Sequence, residues 1–174
     1  GNDRWPLAQQ VEFFGRAQAL ADAAGAVCSF EIHRATSLYS PWVTLALIAQ
    51  LPQLRFTADI SHWVVVCERL LDDPADDLTP FMERVHHVQA RVGYDQGPQV
   101  PHPAAPEYAR TLAFHQGVWE QVWAAQHARG QTVTTLTPEF GPDGYTHLLP
   151  FTQARLLPWA STTRRSSRVW PSAG

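Results

Sequence analysis

Strand-like and helix-like segments alternate along this chain, and that alternation limits the folds that it can adopt. Four runs of apolar or β-branched residues are each followed by a turn and separated by sequence of helical periodicity. The runs are Val27–His33, Leu54–Ser61, Val85–Arg91 and Thr132–Phe140. Such alternation is typical of βαβ units, so the sequence predicts an α/β fold with about four parallel strands.

Each predicted strand ends in side chains that bind cations or move protons. Alternate residues of a strand share one face, and the carboxyl ends of parallel strands meet at one edge of the sheet. This rule groups Glu31, His33, Asp59, His62, His87, Gln89, Arg91 and Glu139. Three carboxylates with an imidazole or amide suit a hard divalent cation, Mn²⁺ or Mg²⁺, with Co²⁺ and Zn²⁺ as further candidates.

Taken singly, each carboxylate has a simpler explanation, because a strand-end Asp or Glu often caps a helix or pairs with a nearby Arg. Their occurrence on successive predicted strands favours a shared site.

A Gly- and Pro-rich loop, residues 93–104, follows the third predicted strand. Loops of that length inside a compact domain are usually functional or mobile.

Four motifs stand at the predicted strand ends: FEIHR (30–34), TADISHW (57–63), VHHVQAR (85–91) and TPEF (137–140). In this order they resemble the sugar phosphate isomerase/epimerase family, whose members are xylose isomerase-like TIM barrels. The resemblance covers about residues 5–153. It implies that the four strands form the C-terminal half of an eight-stranded (β/α)₈ barrel, so an incomplete TIM barrel is expected.

The resemblance also implies roles for the strand-end residues. The metal ligands would be Glu31, Asp59, Gln89 or His87, and Glu139, because the family's His-x-His pair here reads His87-Val88-Gln89. The substrate contacts would be His62 and Arg91. From their positions next to these residues we place His33 and Trp63 beside the substrate, although a packing role is the simpler explanation of Trp63. Glu31 and Glu139 would act as base and acid in isomerising or epimerising a hydroxy-ketone or hydroxy-aldehyde through a metal-stabilised enediolate.

The last part of the chain differs in character from the rest. From Gly144 onward there is no Asp or Glu, and Arg residues cluster with Ser and Thr. We therefore expect a barrel-like unit over residues 1–153 and an irregular Arg/Ser-rich tail over residues 154–174.

The composition of the chain disfavours some classes of binding partner. The net charge of −3 argues against nucleic acid, which makes abasic-site phosphodiester cleavage, another activity of this superfamily, a weaker alternative. No apolar run is long enough for a membrane span, and two cysteines in apolar runs fit a cytoplasmic protein. We expect a small sugar or polyol as substrate. The remaining alternative is a non-catalytic half-barrel that associates with itself through its open edges.

Overall fold

The computed structural model describes residues 1–141 and 144–155, and their four strands form one parallel sheet. The strands are β1 (Phe30–Glu31), β2 (Phe56–Ala58), β3 (Val85–Ala90) and β4 (Leu136–Pro138), and their order in the sheet is the order in the chain. The predicted α/β fold with four parallel strands is confirmed. Most of the predicted tail, residues 156–174, lies outside the described residues.

The connections between the strands are helical. The helices are α1 (Leu7–Ala23), α2 (Pro41–Gln50), α3 (Ser61–Cys67), α4 (Thr79–Met82) and α5 (Ala109–Ala128), the last preceded by a 3₁₀ turn over Pro106–Tyr108. Pro41 starts α2 because its fixed φ suits the first helical position. Gly130, with φ of 81°, follows the end of α5. None of the helices in the described ranges has the length and apolar character needed to cross a membrane.

The strands are shorter than the apolar runs that predict them. β1 contains two residues and β4 three, although the runs around them span seven and nine. Both lie at the edges of the sheet, where pairing within the described residues is with one neighbour only. Asp59 and Glu139 consequently lie just beyond the last residues of β2 and β4.

The two faces of the sheet differ in chemistry. One face packs against the helices through buried apolar side chains such as Ile32, Ala58 and Val88. The opposite face carries polar side chains that contact one another across strands, as the Ser29 and Thr57 hydroxyls do at 2.7 Å. The polar face at the carboxyl edge of the sheet therefore contains the candidate site.

Candidate functional site

The guanidinium of Arg91, at the end of β3, lies at the centre of the strand-end cluster. Its side chain is 3% exposed. Nε donates to Oδ2 of Asp59 at 3.2 Å, and Nη2 donates to Oε1 of Glu139. A single cationic side chain thus joins two of the three carboxylates that the sequence groups together.

Two residues from the following loops hold Arg91 in place. Nη1 donates to Oε1 of Gln99 at 3.0 Å, and the Tyr145 ring centroid lies 4.0 Å from the guanidinium carbon. The Gln99 amide also accepts a hydrogen bond from the Gly141 N–H at 3.0 Å and donates one to the Gly141 carbonyl at 3.2 Å. The loop after β3 and the turn after β4 are therefore joined through one buried amide.

Sequence reasoning missed both Gln99 and Tyr145. The length of the loop that contains Gln99 was a signal of function, but no pattern in that loop distinguishes Gln99 from its exposed neighbour Gln96. Tyr145 follows a Gly-rich turn and carries no signal of its own.

Asp59 is a fully buried carboxylate whose oxygens are both engaged. Oδ1 accepts hydrogen bonds from the Ser61 hydroxyl at 2.5 Å and from the Ser61 N–H at 3.2 Å, while Oδ2 faces Arg91. Burial raises the pKa of Asp59 to about 6, against the opposing effects of Ser61 and Arg91. Its predicted role as a metal ligand would require Arg91 or Ser61 to give up one of these contacts.

His62, in the first turn of α3, is fully buried beside this carboxylate. Nε2 lies 3.4 Å from Oδ2 of Asp59, yet neither ring nitrogen has a hydrogen-bond partner among the described residues. Burial lowers the pKa of His62 to about 3, and the positive charges of nearby Arg34 and Arg91 act in the same direction. The imidazole is therefore neutral at physiological pH.

Glu31 and His33, at the end of β1, complete the polar cluster next to His62. The His33 and His62 ring centroids are 3.8 Å apart, and one ligand atom from each of the three residues lies within 4.8 Å of the others. Burial raises the pKa of the Glu31 carboxyl, and the charge of Glu139 adds to that effect while His33 opposes it. Together these residues form the one His/Asp/Glu/Cys grouping of metal-binding size in the described chain.

Two predicted site residues have other roles. Both ring nitrogens of His87 are paired with β4 hydroxyls, Nδ1 with Thr135 at 2.7 Å and Nε2 with Thr137 at 3.0 Å. Trp63, expected beside the substrate, is fully buried in the core, and its Nε1–H donates to the Leu38 carbonyl at 3.0 Å. Trp63 is therefore a packing residue that does not face the site.

Two acceptor oxygens of the site have no partner among the described residues. They are Oε1 of Gln89 and Oε2 of Glu139, and both are buried. Buried acceptors are normally hydrogen-bonded, so these two oxygens are candidate partners for a donor or a cation.

A cavity of ≈320 Å³ opens beside the β1 end of the cluster. Its lining includes the polar residues Glu31 and His33 and the aromatic residues Phe13, Phe14 and Phe30. A small molecule in this cavity would have access to the Glu31 carboxylate, the His33 imidazole and the aromatic rings.

Comparison of the chain with family models, curated proteins and solved structures gives no match.

Proposed function

We propose that this chain is a metal-dependent isomerase or epimerase of small sugars or sugar phosphates, built on half of a (β/α)₈ barrel. The observation that carries the proposal is the gathering of Glu31, Asp59 and Glu139 around Arg91 and His62 at the carboxyl edge of a parallel sheet. Active sites of α/β folds lie at that edge. The motif resemblance supports the same reaction class.

The carboxylate and amide oxygens of the site support the binding of a divalent cation. Glu31 is exposed, and Gln89 and Glu139 each keep one acceptor oxygen without a partner in the described residues, so these three would hold Mn²⁺, Mg²⁺ or Co²⁺. Asp59 and His87 are already occupied by Arg91, Ser61 and the β4 hydroxyls. When bound, such a cation polarises the carbonyl oxygen and the adjacent hydroxyl of the substrate, which lowers the pKa of the neighbouring C–H bond.

Two carboxylates of the protein would transfer the proton of the carbon next to the substrate carbonyl. Glu31 and Glu139 approach the substrate carbon from β1 and β4, so one removes the proton and the other returns it. Proton removal gives an enediolate, whose negative charge would develop close to the imidazoles of His33 and His62 before the proton is returned. Only 3% of the Arg91 side chain is exposed, so it offers little surface to a substrate. We propose that it holds Glu139 in position and balances the charge of that carboxylate.

Hydrogen exchange at carbon tests this proposal directly. The chain, supplied in turn with Mn²⁺, Mg²⁺, Co²⁺ and Zn²⁺, is incubated in deuterium oxide with a panel of ketoses, aldoses and their phosphates, and NMR detects deuterium next to the carbonyl. We expect Glu139→Gln to slow exchange by about 10²–10⁴-fold, since a general base is lost. Glu12→Gln, at an exposed position on α1, is the matched control. Absence of exchange across the whole panel with every metal would overturn the proposal.

The cellular setting is part of the proposal. Cys28 and Cys67 are free thiols, which is consistent with the reducing cytoplasm that we propose as the compartment.

A second proposal follows from the two edge strands of the sheet, β1 and β4. Within the described residues β1 and β4 each pair on one side only, and unpaired strand edges invite association. A second copy could place its β1 beside β4 in the parallel direction. Light scattering during size-exclusion chromatography would show twice the chain mass, whereas a monomer at every concentration would contradict self-association.

A further inference from the structure

Two imidazoles and one carboxylate converge at the end of β1. His33 and Glu31 come from the strand end itself, and His62 comes from the first turn of the helix that follows β2. One nitrogen or oxygen from each lies within 4.8 Å of the others, so small side-chain movements would bring all three onto one metal ion. This grouping differs from the oxygen-rich set formed by Glu31, Gln89 and Glu139, although the two sets have Glu31 in common.

His62 gives independent reason to expect a ligand here. Its side chain is 0% exposed, and both ring nitrogens lack a hydrogen-bond partner among the described residues. A buried polar atom left without a partner is unfavourable, because it has lost its hydrogen bonds to water and gained none in return. Its ring lies beside His33, with 3.8 Å between centroids, so a cation bound between the two residues would satisfy the unpaired nitrogen.

His33 is already oriented as metal-binding histidines are. Its Nδ1 lies 2.5 Å from the Arg34 carbonyl oxygen, which can only accept, so in the neutral imidazole Nδ1 carries the proton and Nε2 the lone pair. The Tyr145 hydroxyl lies 3.5 Å from Nε2 and would give way to a metal there. The Thr36 hydroxyl donates to the His33 carbonyl at 2.7 Å and fixes the same turn. A backbone carbonyl behind a ligating imidazole is the usual arrangement around bound metals.

We propose that Glu31, His33 and His62 bind one Zn²⁺ or Co²⁺ ion and leave a coordination position open toward the neighbouring cavity. Two nitrogens and one carboxylate favour borderline transition metals over Mg²⁺ and Mn²⁺. Three protein ligands with a free position are also the arrangement of catalytic zinc sites. The role in catalysis rests on the proposed function, whereas metal binding is measured independently of it.

The ≈320 Å³ cavity supports the open position. Glu31 and His33 line both the cavity and the proposed metal site, so a ligand in the cavity can reach the ion. Phe13, Phe14 and Phe30 also line this cavity. A substrate with adjacent oxygens at one end and an apolar face at the other fits these surroundings.

X-ray absorption on the zinc-loaded full chain tests the proposal without any substitution. After chelator treatment and addition of Zn²⁺, we expect about one zinc per chain and two imidazoles in its first coordination shell. Calorimetric titration should give tighter binding of Zn²⁺ and Co²⁺ than of Mg²⁺ and Mn²⁺. A shell made of oxygens alone would overturn the proposal and leave the proposed isomerase standing on the oxygen-rich set. Failure to bind any of the four metals would overturn both.

Matched variants extend the test. We expect His33→Ala to weaken Zn²⁺ binding by at least about 100-fold, with circular dichroism verifying the fold. His127→Ala removes an exposed imidazole from α5 and should leave the affinity unchanged. If Gln89→Leu weakens zinc binding and His33→Ala does not, the inference is wrong. If both metal binding and the imidazole shell are present but no exchange occurs with any substrate, the proposed function fails and the metal site stands.

Discussion

Arg91 donates from Nε to Oδ2 of Asp59 at 3.2 Å, in a position where the two side chains are 3% and 0% exposed. Burying two opposite charges together is costly in solvation, and removing one of them leaves the other uncompensated. The pair therefore makes the site sensitive to substitution even before any substrate is considered.

Arg91→Met should destabilise the fold strongly. The variant keeps the length of the side chain and leaves Asp59 buried without its cation, at an expected cost of about 3–5 kcal/mol in the free energy of unfolding by urea. Arg110→Met is the matched control, because Arg110 pairs with Asp72 at the surface and such pairs contribute about 0–1 kcal/mol. Equal losses in the two variants would contradict the central role of Arg91.

Gln99→Leu should loosen the turn after β4. The substitution leaves the Arg91 Nη1–H and the Gly141 N–H without their acceptor, and each unmet buried group costs about 1–3 kcal/mol, whereas the Gly141 carbonyl still accepts from the Thr146 hydroxyl at 2.7 Å. Hydrogen exchange measured by mass spectrometry should show faster exchange around Gly141 and Thr146. Gln96→Leu, at an exposed position of the same loop, should leave exchange there unchanged.

Trp63→Ala should act on stability, since the indole lies in the core. Truncating a buried Trp typically costs about 3–5 kcal/mol, and the Leu38 carbonyl also loses its donor. Trp42→Ala removes an indole that is 44% exposed and should cost much less. A Trp63→Phe variant that keeps full stability but loses sugar binding would restore the original expectation of a substrate contact.

His115 should make stability depend on pH. Burial lowers its pKa from 6.5 to about 4, so between these values the unfolded chain binds more protons and stability rises with pH. Lowering the pH from about 7 to about 5 should remove roughly 2 kcal/mol through this group. Other buried groups contribute to the total, so the measurement is the difference between wild type and His115→Gln in urea unfolding at both pH values.

The control for that experiment is His127→Gln, an exposed imidazole on the same helix. It should show the same pH dependence as wild type. A His115→Gln variant that keeps the full wild-type slope would show that His115 titrates normally in the folded protein.

The order of the strands and the identity of the polar residues at their ends could be predicted, because both follow from periodicity. Asp59 and Glu139 follow their strands as expected. The convergence of Glu31 with His62 also follows from parallel strand ends, with His62 three residues beyond Asp59.

The partners of those residues could not be predicted. A strand-end Arg has the same sequence pattern whether it faces a substrate or bridges two carboxylates, and only the packing of Gln99 and Tyr145 around it decides. Likewise His87 shares a face with Gln89, yet the hydroxyls opposite it on β4 occupy both its nitrogens. Such pairings depend on register between strands far apart in sequence, and local patterns do not encode it.

The hydrogen bonds of the His87 imidazole fix the register of β4 against β3. The imidazole contacts the hydroxyls of Thr137 in β4 and of Thr135 just before β4, which lie two residues apart on one face of this segment. A shift of β4 by one residue would bring Leu136 to the imidazole and turn Glu139 to the opposite face, away from Arg91. A residue expected to bind metal thus helps to fix the position of Glu139, the carboxylate that we propose as acid or base, and exchanging His87 would displace that carboxylate.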